Sequence, residues 1–122
     1  MEYLNELGRR AKIAAEAMNQ LTTQQKNEGL LRAADVLLDR EDVIMKANAI
    51  DVENAVKAGT SPALIDRLKL SHERLAGMAE GLKQVAELKD PIGAVLSEDT
   101  RLNGLLIKKV RVPMGVIGII YE

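Results

Sequence analysis

Apolar residues recur along the first two thirds of the chain with a helical period. Leu4, Leu7, Ala11, Ala14 and Met18 alternate steps of three and four, so one apolar stripe runs down a first helix. The stripe is too short to sustain a coiled coil, and internal packing is expected of it. Thr22, with Gln25 three positions on, forms a capping box that opens a second helix carrying Leu30, Leu31, Ala34, Leu37 and Leu38. The charged run Asp39-Arg40-Glu41-Asp42 bends or restarts the chain, with Asp39 placed to cap the next segment. A third helix takes in Val43, Ala47 and Ile50 and stops at Gly59. Ser61-Pro62 then reads as an N-cap with proline in the first turn of a short helix. Ser71 caps a last helix with Leu75, Met78, Leu82 and Val85 on one side. Asp90-Pro91 ends it, because the residue before proline is driven out of the helical region.

Beyond Pro91 the period changes. Residues 94–98 and 105–112 are rich in strand formers, and residues 99–104 between them hold turn residues, which predicts a hairpin with a longer loop. Leu106, Lys108, Val110 and Val112 fall on one face; Leu105, Ile107, Lys109 and Arg111 fall on the other. Pro113 breaks the ladder. Residues 116–120 predict a final strand that is apolar on both faces, as in the middle of a parallel α/β sheet covered by layers on each side. Burial of Val116, Ile117, Ile119 and Ile120 is worth about 1.5–3 kcal/mol each, or about 6–12 kcal/mol together. A covering layer for this strand is expected from outside these residues, either further chain or a second copy.

Composition narrows the function classes. The chain has 122 residues, enough for one core. It contains no Phe and no Trp, so the core is aliphatic and the aromatic surfaces that stack nucleic-acid bases are lacking. A formal net charge of −1 gives no electrostatic pull toward nucleic acid or an anionic membrane. The absence of cysteine excludes disulfides, thiolate metal sites and a cysteine nucleophile within this stretch. The start lacks a basic segment followed by an apolar run, and no apolar stretch is long enough to span a bilayer. A soluble, cytoplasmic protein is expected.

Candidate chemistry within the chain is thin. Gly115 and Gly118 fall short of a dinucleotide fingerprint, which needs three glycines between a strand and a helix; they read as a bulge or a close backbone approach. Lys108, Lys109 and Arg111 form the one basic cluster and read as a solvated edge that discourages strand pairing, against a phosphate patch. His72 stands alone and cannot make a structural zinc site without further ligands. The acidic groups at 39–42 and 51–53 lack the glycine turn and spacing of a calcium loop and read as caps and solvated faces. Neither a catalytic residue nor a metal ligand is assigned.

Several ordered stretches carry a family resemblance. Lys46-Ala47-Asn48-Ala49-Ile50-Asp51-Val52, Asp66-Arg67-Leu68-Lys69-Leu70 with Arg74-Leu75-Ala76-Gly77-Met78, Asp90-Pro91-Ile92-Gly93, and the run from Arg111 to Glu122 occur in the order seen in γ-glutamyl phosphate reductases. The resemblance covers essentially the whole chain. Its Pro-x-Gly-Val portion is shared with the wider aldehyde dehydrogenase superfamily.

The resemblance implies an α/β parent fold of aldehyde dehydrogenase type, represented here by a mainly α-helical stretch, a hairpin and the first strand of a Rossmann-like sheet. On that basis residues 1–90 are the helical part of the cofactor-binding domain, 91–112 belong to the oligomerisation arm, and 113–122 begin the dinucleotide-binding sheet. It further implies an NADPH-dependent reduction of γ-glutamyl phosphate to glutamate-5-semialdehyde in proline biosynthesis, by a cytoplasmic homo-oligomer. In such enzymes a cysteine thiolate displaces phosphate to form a thioester, which hydride from the nicotinamide reduces. That cysteine lies downstream of the residues resembled, so this chain alone is expected to be inactive and to bind NADPH poorly. Ile120, Tyr121 and Glu122 are the only positions carried over, as neighbours of the cofactor. The competing reading is a non-enzymatic helical module that binds a partner by adding its terminal strand to the partner's sheet.

Overall fold

The computed structural model describes residues 2–120. Five helices precede one hairpin: α1 (Glu2–Met18), α2 (Thr23–Asp39), α3 (Glu41–Lys57), α4 (Pro62–Leu68), α5 (His72–Glu87), β1 (Val95–Thr100) and β2 (Leu106–Val110). The chain divides into two compact units. Residues 24–88 form one, and the other draws on both ends, through Thr23 and from Lys89 onward.

The helical unit, α2 to α5, follows the sequence at its punctuation. After α3, Gly59 takes φ 75. Its N–H reaches Val56 O while Thr60 N–H reaches Ala55 O, the paired bonds of a Schellman ending that a left-handed glycine permits. Pro62 opens α4 after Ser61, whose backbone is extended but whose hydroxyl makes no capping bond. Ser71 caps α5 as expected, its Oγ accepting from the Arg74 N–H at 3.2 Å. Asp39 is not a cap. It is the last residue of α2, and Arg40 alone stands between the two helices, with no side-chain capping bond. Glu41 and Asp42 in the first turn of α3 offset the exposed N–H groups there instead. α5 ends at Glu87, earlier than Asp90.

The core of this unit is small and aliphatic. Ala34, Leu75 and Ala79 are buried, and Ala34 and Leu75 lie on the stripes read from the sequence. The apolar residues named for α3 from the sequence do not line its inward face: Val43 is 53% exposed and Ile50 60%. The inward face carries Ile44, Met45, Asn48, Val52 and Ala55, with Asn48 buried. α3 is apolar on more than one side, and a polar residue at the centre of the true inward face breaks its pattern. In α5 the inward row is Leu75, Ala79, Leu82 and Ala86, while Met78 and Val85 are half exposed.

In the other unit, α1 buries no residue; Leu4, Leu7, Ile13 and Met18 are exposed, so the internal packing expected of its stripe does not occur. The hairpin is tighter than expected. Its ladder runs to Thr100↔Leu106, and the loop closes through Arg101 N–H to Leu105 O and Gly104 N–H to Arg101 O. Gly104 at φ 82 supplies the left-handed residue that such a short loop demands. Leu96 is the extra residue of a bulge between Val95 and Ser97, and it shifts the register beyond it. At the hairpin base a turn closes through Ala94 N–H to Pro91 O, with Gly93 at φ 81. Asp90 buttresses it: one carboxylate oxygen accepts from Ile92 N–H at 3.0 Å and the other from the Thr23 hydroxyl at 3.0 Å.

The third strand is not formed. Residues 111–120 hold neither helix nor strand, and Gly115 sits at φ 86. A strand exists only through ladder partners, and Pro113 cannot donate to one. The described residues offer this segment no sheet beyond the hairpin's own pair of strands.

Candidate functional site

The residues carried over as cofactor neighbours do not assemble a site. Ile120 is 93% exposed, at the end of the segment without a ladder. Tyr121 and Glu122 lie outside the described residues. Gly115 and Gly118 make neither a bulge nor a close approach, since a Cβ at either would meet nothing within 4 Å. A dinucleotide cradle needs a strand, a glycine turn and a helix N-terminus in succession. The described residues around Gly115 supply none of these, so they do not by themselves fit the cofactor.

Each charged cluster contains a residue held in a local ion pair. Lys108 Nζ lies 2.9 Å from Glu98 Oε2 across the hairpin, matching their register. Asp42 pairs with Lys46 at 3.7 Å and Glu53 with Lys57 at 2.6 Å, both one helical turn apart and exposed. Such pairs contribute about 0.3–0.5 kcal/mol. Among the described residues no three His, Asp or Glu side chains gather as a metal site would require. No described helix is long and apolar enough to cross a membrane.

His72 is not solitary. Its Nδ1 lies 2.9 and 3.1 Å from the two carboxylate oxygens of Glu41, tying the start of α5 to the start of α3. The hydrogen bond to Glu41 raises the imidazole above its ordinary pKa of 6.5, with the charges of Glu41 and then Glu73 adding to it. A raised folded value means that the pair's contribution to stability is present below the unfolded pKa and is lost as pH rises through the folded one. A histidine-detected NMR titration should therefore place the His72 midpoint above that of a free histidine, and Glu41→Gln should bring it down. An unmoved midpoint in the variant would remove the pair.

The best-built polar site was not evident from the sequence. Asn48 spends both ends of its amide on the link between α4 and α5: Nδ2 donates to Leu68 O at 2.9 Å, and Oδ1 accepts from Leu70 N–H at 2.8 Å. Arg74 secures the same link, its guanidinium donating to Asp66 O and Lys69 O and reaching Asp66 Oδ2 at 3.1 Å. Met45, Ala49, Val52 and Leu70 flank Asn48 in a shallow groove of about 230 Å³. Buried and bonded through both ends of its amide to one short link, Asn48 fixes a connection.

No family model matches the chain. Known proteins do. The γ-glutamyl phosphate reductase of Desulforamulus reducens is 49% identical over 122 residues, covering 100% of this chain and 29% of that protein. The enzyme of the same name from Carboxydothermus hydrogenoformans is 50% identical over 121 residues, covering 99% and 29%. The crystal structure of γ-glutamyl phosphate reductase from Thermotoga maritima superposes with a TM-score of 0.87 at 37% identity, over 90% of this chain and 27% of that one. The chain is similar to these γ-glutamyl phosphate reductases over nearly all of its own length. The Saccharomyces cerevisiae structure of that name gives a TM-score of 0.79 at 28% identity, over 86% of this chain and 27% of that one. Helices followed by a small antiparallel hairpin are thus the aldehyde dehydrogenase-like architecture of these γ-glutamyl phosphate reductases, as the resemblance implied. The chain spans less than a third of the length of the relatives it matches.

Proposed function

We propose that this chain is the amino-terminal segment of an NADPH-dependent reductase that converts γ-glutamyl phosphate to glutamate-5-semialdehyde in proline biosynthesis. The observation that carries the reading is the identity of 49–50% held across 99–100% of the chain. The role proposed for the segment is structural. Residues 24–88 supply a prefolded helical unit, and residues 113–122 supply the first strand of the dinucleotide-binding sheet once neighbouring strands are present. Ile120, Tyr121 and Glu122 then lie beside the cofactor. Acyl-phosphate reduction through a thioester requires a thiolate to displace phosphate, and these residues contain no cysteine. The pure chain should therefore show no NADPH-dependent turnover with γ-glutamyl phosphate.

A chimera tests the reading directly. The corresponding residues of the Carboxydothermus hydrogenoformans enzyme are replaced with this chain, and NADPH-dependent formation of the semialdehyde is measured. At 50% identity the activity should stay within about tenfold of the parent, equivalent to about 1.4 kcal/mol in the barrier. A soluble, folded chimera with no activity would overturn the proposal, as would turnover by the isolated chain.

We also assign residues 91–112 to an oligomerisation arm of a cytoplasmic homo-oligomer. Leu106 and Val110 of β2 are 45% and 40% exposed and Val112 is 72% exposed, so this apolar row is free to be covered by another subunit. Within the active chimera, Val110→Lys should lower the oligomer mass seen by light scattering at low concentration while leaving the helical signal intact. An unchanged mass would count against the arm. Nothing in the described residues favours the competing helical-module reading.

A further inference from the structure

We draw no further inference here: the strongest candidate, the exposed apolar stripe of α1 together with Val116 and the aliphatic residues after it, is an unpartnered apolar face, and nothing in the structure shows what covers it.

Discussion

Replacing Asn48 with alanine should destabilise the helical unit by about 2–3 kcal/mol, the sum of two lost amide–backbone bonds and the partial desolvation of the groups left behind. For a unit of this size that corresponds to a fall of roughly 8–24 °C in melting temperature, followed at 222 nm on the intact chain. The cost is high because the side chain is buried and both its partners are backbone atoms of one short link, Leu68 O and Leu70 N. Asn48→Asp separates the two bonds. The aspartate still accepts from Leu70 N–H, but it has no donor for Leu68 O and sets a carboxylate against that carbonyl. Burial and this repulsion raise the carboxyl's folded pKa above the unfolded value, so the penalty is present at neutral pH and shrinks as pH falls through the folded value. A melting temperature unchanged in Asn48→Ala, or an Asn48→Asp variant that gains nothing on acidification, would show that the link is held by other contacts.

Asn48 also marks the limit of what the sequence disclosed. The helix ends at Gly59, Ser61-Pro62 and Ser71 were legible because each residue has one strong backbone preference that tertiary contacts did not oppose. The buried face of α3 was not, since that helix has apolar residues on more than one side and its most consequential inward residue is polar. Periodicity reports where apolar residues are, not which of two apolar stripes finds a neighbour. The short stretch around Asn48 did carry information, but as one of the segments that resemble the family, with no hint of the bonds the asparagine makes. The bulge at Leu96 was equally hidden, because it depends on how two strands meet and not on either strand alone. As for the site, the sequence contains no cysteine that could serve as nucleophile. The cofactor neighbours it named rest on the family resemblance alone: Ile120 stands exposed, and Tyr121 and Glu122 fall outside the described residues.

Removing residues 116–122 should weaken self-association of the chain by about a hundredfold or more, while leaving the helical circular dichroism almost unchanged. Val116, Ile117, Ile119 and Ile120 are 49%, 62%, 66% and 93% exposed, and the segment they occupy has no ladder partner. Consecutive β-branched residues with unpaired N–H and C=O groups are a template for pairing with a second copy. Covering even half of the apolar surface of four such side chains is worth about 3–6 kcal/mol, and each tenfold in affinity needs only about 1.4 kcal/mol. The helical unit does not draw on this segment for its core, since Ala34, Leu75 and Ala79 all lie within residues 24–88. Sedimentation velocity over a concentration series reads the association, and the signal at 222 nm reads the helices. Two results would defeat the expectation. If the shortened chain associates as strongly as before, the exposed stripe of α1 or the hairpin edge is the adhesive surface. If its helices melt, the segment is an internal part of the fold, and its assignment as a strand that forms only beside neighbouring strands fails.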